Sequence, residues 1–314
     1  MTVNTATAAS TLENEISLGL IKYFNHLWGF IQGENIGFDR KKKVKWSTNK
    51  KFKLNRLNLL QRFLDEKNLL GIRFDTNKNA MVDYLMTDID IGSKYHPLNN
   101  LKRFIALLYA FEQAGLPGHV DIKSSPSGGL HVYFPLSKAL PVFDAACFLK
   151  KIVENAGFQE RDGQLELFPN CKGWSPKGIV NYKAHRLPLQ PKSGSYLLDD
   201  DLNVVSDDFR AFIRQMDWNA KHKNIIDDEM LANVQAAKEA VYMERCSRGS
   251  TGMSIVIKWQ EDLELYHRVG WTSRGETNEI LCKFATYGVV FLGLTGDELT
   301  QYIVETARNT PSFQ

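Results

Sequence analysis

An apolar run that ends in two closely spaced acids is the feature that most limits how this chain can fold. Residues 84–91 read Tyr-Leu-Met-Thr-Asp-Ile-Asp-Ile, so Asp88 and Asp90 are separated by one residue. Side chains two apart in a β-strand project from the same face, and a strand here therefore presents two carboxylates together. Adjacent carboxylates repel each other unless a cation lies between them, and such pairs hold divalent metals for phosphoryl chemistry. Asp residues at strand ends also form ordinary turns, so this pattern alone leaves both interpretations open.

A turn rich in serine and glycine follows between two apolar segments. Residues 122–135 read Ile-Lys-Ser-Ser-Pro-Ser-Gly-Gly-Leu-His-Val-Tyr-Phe-Pro, which predicts a strand, a turn and a second strand. Glycines let backbone N–H groups approach an anion closely, and Ser125, Ser127 and His131 can add side-chain donors. The turn is therefore a candidate phosphate site, although a purely structural hairpin can have the same composition.

Two further charged residues stand in apolar surroundings. Glu166 lies between Leu165 and Leu167, where an unpaired charge would be costly. Arg186 precedes Leu187 and offers a planar cation that suits phosphate. Either residue alone is compatible with a structural role. The ordered set of acids, turn, acid and arginine is far less expected by chance than any one of its members.

In this order the motifs resemble those of the archaeo-eukaryotic primase superfamily. Within it, they are most similar to primase-polymerases of plasmids, phages and other mobile elements. The resemblance rests on Asp-x-Asp, Ser-Gly-Gly-Leu-His, Leu-Glu-Leu-Phe-Pro-Asn and Arg-Leu-Pro-Leu, and it covers roughly residues 20–200. It implies that two Mg²⁺ or Mn²⁺ ions are held by three catalytic residues, Asp88, Asp90 and Glu166.

The same resemblance implies a grip on the incoming nucleotide. The residues that would bind its phosphates or support them are Ser125, Ser127, His131 and Arg186. The expected substrates are NTPs or dNTPs, the expected template is single-stranded DNA, and a helicase or another replication protein comes into consideration as a partner. An origin in a prokaryote, plasmid or phage is also expected.

Basic segments provide candidates for template binding. Between Arg40 and Arg56 there are nine Lys or Arg residues and no acid, with Trp46 and Phe52 interleaved. Basic side chains neutralise phosphates, while aromatic rings stack on unpaired bases. A second acid-free stretch covers residues 172–192. The predicted DNA-binding residues are Lys41, Lys42, Lys43, Lys45, Trp46 and Lys172. A solvated basic loop is the alternative explanation for the first segment.

Composition excludes several other classes of protein. The chain has 314 residues, of which 43% are hydrophobic and 24% charged, as is normal for a globular protein. No apolar run approaches the roughly 20 residues of a membrane span. Residues 1–10 lack the features of a signal peptide and are expected to be a disordered leader of a cytoplasmic protein. The cysteines Cys147, Cys171, Cys246 and Cys282 form no C-x-x-C pair, so no zinc site is expected.

The order of predicted elements indicates an α+β fold. Apolar spacing predicts helices over 12–30, 57–70, 98–114 and 142–156, with strands at 71–74 and 81–91 joined by a polar turn. The resemblance implies an RRM-like catalytic core with an N-terminal α/β companion module, followed by a helical C-terminal domain. We expect a leader at 1–10, a catalytic domain at 11–205 and a helical domain at 206–314.

The function expected from these features is that of a template-dependent nucleotidyltransferase, a DNA primase and polymerase. Two alternatives stay open at this point. A non-catalytic DNA-binding or initiator protein would use the basic loop and the helical tail, and its acids would be structural. A metal-dependent nuclease would use the same acids to activate water. The serine-histidine turn favours the polymerase, because a nuclease needs no grip on a triphosphate.

Overall fold

The computed structural model describes residues 3–39, 44–77, 79–172, 180–248, 260, 263–272 and 275–311. The helices labelled here are α1 (Val3–Tyr23), α2 (Arg56–Phe63), α3 (Pro97–Gln113), α4 (Val142–Asn155), α5 (Phe209–His222), α6 (Asp228–Arg248), α7 (Thr277–Val290) and α8 (Gly296–Asn309), and residues 263–269 are also helical. The strands are β1 (Ile31–Glu34), β2 (Ser47–Thr48), β3 (Asn68–Arg73), β4 (Met81–Ile89), β5 (Val120–Lys123), β6 (Leu130–Pro141), β7 (Leu165–Phe168), β8 (Ala184–Arg186), β9 (Tyr196–Leu198) and β10 (Val204–Ser206).

A six-stranded antiparallel sheet forms the larger of the two sheets. Its strand order is β10-β9-β5-β6-β4-β7. The stretch from β4 to β7 runs strand, helix, strand, strand, helix, strand, with the central order β5-β6-β4-β7. This is the split βαβ arrangement with two helices, α3 and α4. The predicted α+β class and RRM-like core are confirmed.

A smaller four-stranded sheet forms the companion module, in the order β2-β1-β3-β8. All of its pairs are antiparallel, and β8 reaches it from a point in the sequence beyond the core strands. The strands predicted on either side of the turn at Asp75 are β3 and β4. They lie in different sheets and do not pair, so the polar turn between them is a crossover between sheets.

The N-terminal helix differs from the sequence prediction at both ends. Helix α1 runs from Val3 to Tyr23, so residues 3–10 are helical where a disordered leader was expected. Three of these eight residues are Ala, which has the highest helix propensity of all residues. The predicted helix was expected to continue to residue 30. The chain instead turns at Gly29, which has a φ of 67°, before entering β1.

The chain divides into two compact units, Met1–Glu239 and Ala240–Gln314, rather than at the predicted boundary between 205 and 206. The reason lies in α5, whose residues Phe209, Phe212 and Met216 are buried in the core of the first unit. The ring of Phe212 meets that of Tyr133 edge-on, with centroids 5.1 Å apart. Helix α5 is therefore part of the unit that carries both sheets.

The second unit is helical in the part that the structure describes, as expected for the C-terminal region. Helices α7 and α8 bury a small cluster of Ile280, Phe284 and Ala307. Across the described residues of both units, no helix combines the length and the apolar character needed to cross a membrane.

Candidate active site

Three candidate residues form one row across the larger sheet. Asp88 on β4 is the register partner of His131 on β6 and of Glu166 on β7. Directly opposite residues in an antiparallel sheet lie on the same face, with Cβ atoms roughly 5 Å apart. Asp90 stands just beyond the end of β4, and a Cβ added to Gly163 would be 3.7 Å from its Oδ2 atom. The fold thus brings together the acids that the sequence singled out.

His131 faces Asp88 rather than open solvent. Its Nε2 atom lies 3.3 Å from Asp88 Oδ2, and only 3% of the imidazole side chain is exposed. Its Nδ1 atom is buried and has no hydrogen-bond partner in the described structure. The imidazole therefore holds one of the two paired acids, and its role toward phosphate stays a prediction.

The serine-rich turn joins β5 to β6, as the sequence predicted. The hydroxyls of Ser125 and Ser127 lie 2.7 Å apart in a hydrogen bond near the surface. The turn is closed by a backbone hydrogen bond from Ser124 N to Gly129 O at 2.8 Å. Gly128 has a φ of 98°, a left-handed conformation that favours glycine. The turn presents two hydroxyls at the mouth of a cleft.

Lys183 is a cation among the acids, although in the sequence it stands out only as part of the acid-free stretch 172–192. Its Nζ atom lies 2.5 Å from Asp162 Oδ1, 3.0 Å from Glu166 Oε2 and 3.7 Å from Glu160 Oε1. Burial lowers the pKa of Lys183, but hydrogen bonds to Asp162 and Glu166 outweigh this and raise the pKa overall. Burial raises the pKa of Glu160, and the Lys183 ammonium partly offsets the rise.

Arg186 comes from the companion sheet, where it is the register partner of Gly71. Burial lowers the pKa of its guanidinium to about 10, while the charge of Asp88 opposes this change. The group therefore stays cationic at neutral pH. Its Nε and Nη2 atoms are buried and have no hydrogen-bond partners in the described structure. Buried donors without partners are costly, so this side chain is suited to an anion that supplies acceptors.

A second arginine, Arg73 on β3, was missed by the sequence analysis. It donates to the carbonyl oxygen of Tyr182, and its Nε atom is buried without a hydrogen-bond partner among the described residues. Burial lowers the pKa of Arg73. The available signal was an arginine inside the apolar segment Gly71-Ile-Arg-Phe74.

A cleft of about 840 Å³ contains these groups, and residues of both sheets line it. A volume of this size suits a ligand as large as a nucleotide. The predicted residues among its lining are Trp46, Asp88, Asp90, Ser125, Ser127, His131, Glu166 and Arg186. Arg73, Asp162 and Lys183 line it as well.

The other predicted DNA-binding residues either do not line the cleft or fall outside the described residues. Of the described residues, Lys45 and Lys172 are not part of the cleft lining. The Lys172 ammonium lies over the ring of Tyr182, 4.5 Å from its centroid. Lys41, Lys42 and Lys43 fall outside the described residues. Among the described residues of this predicted set, only Trp46 lines the cleft.

The acids suit a divalent cation by donor type, but they do not stand as an assembled ligand set. Carboxylate oxygens are the donors that Mg²⁺ and Mn²⁺ prefer. Within the ranges that the structure describes, no group of three or more His, Cys, Asp and Glu side chains is arranged to hold a metal ion. A physical reason is visible at Glu166, where the Lys183 ammonium already occupies one carboxylate oxygen.

Comparison with known proteins gives one family match. The model described as "TOTE conflict system, Archaeo-Eukaryotic Primase domain" matches residues 30–224, which is more than half of the chain. These residues include both sheets, the cleft and all of α5. No curated protein matches.

Three solved structures are similar at low identity. The polymerase domain of Mycobacterium tuberculosis Ligase D in complex with DNA is 12% identical, covering 72% of this chain and 88% of its own, with a TM-score of 0.36. The primase-polymerase domain of cyanophage S-2L is 14% identical, with 64% and 96% coverage and a TM-score of 0.31. The primase RepB′ is 11% identical, with 94% and 86% coverage and a TM-score of 0.30. Similarities this low transfer no residue roles.

Proposed function

The chain belongs to the family of archaeo-eukaryotic primase domains of TOTE conflict systems, and we propose that it is a template-dependent nucleotidyltransferase that makes and extends primers on single-stranded DNA. The family supports nucleotidyltransferase-type activity. The proposal adds the polymerase reaction, the DNA template, the NTP or dNTP substrate and the use of two divalent metals.

The observation that carries the proposal is that strands of the two sheets bring opposite charges to one cleft. The larger sheet contributes Asp88 and Glu166 to the lining, and the companion sheet contributes Arg73 and Arg186. Acids are needed to hold metal, and cations are needed to hold a triphosphate. A cleft that combines the two, with unpaired arginine N–H groups inside it, fits a nucleoside triphosphate.

The residues divide the work as follows in this proposal. Asp88, Asp90 and Glu166 would hold Mg²⁺ or Mn²⁺, which when bound neutralises the triphosphate and favours deprotonation of the attacking 3′-hydroxyl. Arg186, which lines the cleft, would offer its guanidinium to phosphate oxygens. His131 orients the Asp88 carboxylate through its Nε2 contact.

The serine turn and the basic segments complete the assignment. Ser125 and Ser127 offer hydroxyl donors to the nucleotide at the cleft mouth. Trp46, which is 38% exposed, is placed to stack on an unpaired base of the template. Lys41, Lys42, Lys43, Lys45 and Lys172 would contact the template backbone.

The proposal is tested by synthesis on single-stranded DNA without a primer. NTPs and dNTPs are supplied separately, each with Mg²⁺ or with Mn²⁺, and labelled products are resolved by length. The wild-type chain should form products, and the Asp88→Ala/Asp90→Ala variant should form none while remaining folded. Asp200→Ala, an acid that does not line the cleft, is the matched control and should keep full activity. Equal activity of the double variant and wild type would contradict the assignment, and shortening of the DNA would favour a nuclease.

A further inference from the structure

Lys183 is held by contacts at both its ammonium group and its backbone. Its ammonium meets Asp162, Glu166 and Glu160 at 2.5, 3.0 and 3.7 Å, and 31% of its side chain is exposed. Its backbone N–H donates to Asn170 Oδ1 at 2.7 Å, which fixes the start of the side chain. The position of this cation is therefore determined from both ends.

Of the three acids that Lys183 contacts, Glu166 is the one proposed to hold metal. Glu166 is the register partner of Asp88, so the ammonium lies at the side of the row of acids proposed to hold metal. The other oxygen of Glu166, Oε1, accepts a hydrogen bond from Gly163 N at 3.3 Å. Both oxygens of this carboxylate are thus engaged within the protein. A lysine ammonium is a compact point charge that can satisfy several oxygens, as a metal ion does.

We propose that Lys183 is a built-in counter-cation that competes with divalent metal for Glu166. This rests on the proposed function, because it takes Glu166 as a metal ligand. In the absence of metal, the ammonium neutralises Glu166 and weakens the repulsion among the acids. When metal binds, the ammonium leaves Glu166 and stays paired with Asp162 and Glu160.

The two other acids make this exchange feasible. The Asp162 carboxylate is 85% exposed and already accepts the shortest of the three contacts, so it can follow the lysine outward. Glu160 lies within ion-pair distance, so the lysine keeps a second partner when it releases Glu166. The metal ion therefore replaces the Lys183 ammonium at Glu166, and the ammonium keeps two carboxylate partners. The expected consequence is metal affinity lower than the acids alone would give.

The test is a titration of the purified full chain with Mn²⁺ alone, followed by the electron paramagnetic resonance signal of the free ion. No nucleotide or DNA is present, so the readout does not depend on activity. Lys183→Met removes the competing charge and should bind Mn²⁺ roughly tenfold more tightly, the lower end of what one neighbouring charge does to the proton affinity of a carboxylate. Lys183→Gln should behave in the same way, and Lys183→Arg, which keeps the charge, should bind like wild type.

Lys94→Met is the matched control. Lys94 lies shortly after Asp90, and its ammonium sits over the ring of Tyr95 at 5.0 Å rather than on a carboxylate. Lys94→Met takes away the same charge but frees no carboxylate of the site, so its Mn²⁺ affinity should stay within about twofold of wild type. A thermal unfolding curve for each variant establishes that the protein is folded.

The outcomes separate this inference from the proposed function. Tighter binding in both neutral Lys183 variants, with no change in Lys94→Met, supports the competition. If wild type binds Mn²⁺ through Asp88 and Asp90 but the Lys183 variants bind equally or more weakly, the inference is wrong and the proposed function stands. If Asp88→Ala/Asp90→Ala binds Mn²⁺ as wild type does, the metal assignment itself is wrong, and the competition at Glu166 fails with it.

Discussion

Arg186 shows most clearly how single residues in this cleft serve binding at a cost to stability. Its guanidinium is charged, two of its nitrogen atoms are shut off from water, and neither has a hydrogen-bond partner in the described structure. Burying a charged donor without an acceptor costs free energy. A side chain selected for stability alone would be apolar here.

Replacing Arg186 with Met should therefore separate binding from stability. We expect at least a tenfold loss of nucleoside triphosphate affinity, because charge-assisted phosphate contacts disappear. The free energy of unfolding should be unchanged or higher by about 1–2 kcal/mol, because an apolar side chain of similar length replaces a poorly satisfied charge. Isothermal titration calorimetry and urea denaturation give the two quantities. Arg62→Met, outside the cleft lining, is the control and should leave nucleotide affinity unchanged; an equally large loss there would contradict the assignment.

His185, next to Arg186, should make the free energy of unfolding depend on pH, because its imidazole is buried. Burial lowers the pKa of its imidazole from 6.5 to about 3, and its Nε2 atom lies 2.8 Å from the Tyr84 hydroxyl oxygen. The unfolded chain takes up this proton below about pH 6.5 and the folded chain does not. The contribution of the neutral His185 imidazole to the free energy of unfolding is therefore complete above that pH. It is lost as the pH falls, at about 1.4 kcal/mol per pH unit.

His185→Gln should remove this part of the pH dependence while keeping a partner for Tyr84. Urea denaturation between about pH 4.5 and about pH 6.5 should show a slope lower than wild type by about 1.4 kcal/mol per pH unit. His222→Gln, at the exposed end of α5, should keep the wild-type slope. Identical slopes for His185→Gln and wild type would show that His185 does not titrate as a buried neutral group.

Strand β4 is the element on which the site depends. Its register with β6 and β7 places Asp88 opposite His131 and Glu166. A slip of one residue would bring Thr87 to this face, because successive strand side chains alternate. The alternation in the sequence was enough to predict that Asp88 and Asp90 share a face. It could not give the partner of β3, because a strand's own pattern does not identify its neighbour.

The turn between β5 and β6 depends on glycine at one position. Gly128 has a φ of 98°, and an added Cβ would lie 3.2 Å from Ile91 Cδ1. Gly128→Ala should lower the free energy of unfolding by about 1–2 kcal/mol, since L-residues are strained in this conformation. It should also weaken nucleotide binding, because the serine hydroxyls beside it shift.

Gly92→Ala is the matched control for this turn. A Cβ added at Gly92 would meet nothing within 4 Å, so we expect a change below about 0.5 kcal/mol. Urea denaturation of both variants makes the comparison. Equal stability of Gly128→Ala and wild type would show that the turn relaxes to accept a side chain.

At the scale of the whole molecule, the cleft is lined by two sheets, and one of them is completed by β8, which lies beyond the core strands in sequence. The acids and the serine turn were predictable because each motif is local. That Arg73 and Arg186 are brought to the same cleft as these acids was not predictable, because it depends on β8 pairing with β3 in the companion sheet. The helix α5 was assigned to the wrong domain for a related reason, since its apolar face packs on distant residues of the core.

The two-unit division predicts the effect of removing the C-terminal region. All the described residues that line the cleft precede Phe209, and the second unit begins at Ala240. A chain that ends at Arg248 should fold and extend a primer at the wild-type rate, but lose at least tenfold in primer synthesis. Starting a chain requires holding a second nucleotide or the template without a primer duplex, and an accessory region is most needed for that step.

Both assays on the purified truncated chain check this prediction, after circular dichroism has established folding. Equal loss of extension and synthesis would place the C-terminal region in the catalytic machinery. Full retention of both would show that it serves neither step.

The most direct test of the central claim is whether the template dictates which nucleotide is added. A labelled primer is annealed to four templates that differ only in the next base, and each nucleotide is supplied singly with Mg²⁺ or Mn²⁺. The wild-type chain should add the complementary nucleotide on each template, and Asp88→Ala/Asp90→Ala should add none. Addition that ignores the template base, shortening of the primer, or unchanged addition by the double variant would contradict the proposed function.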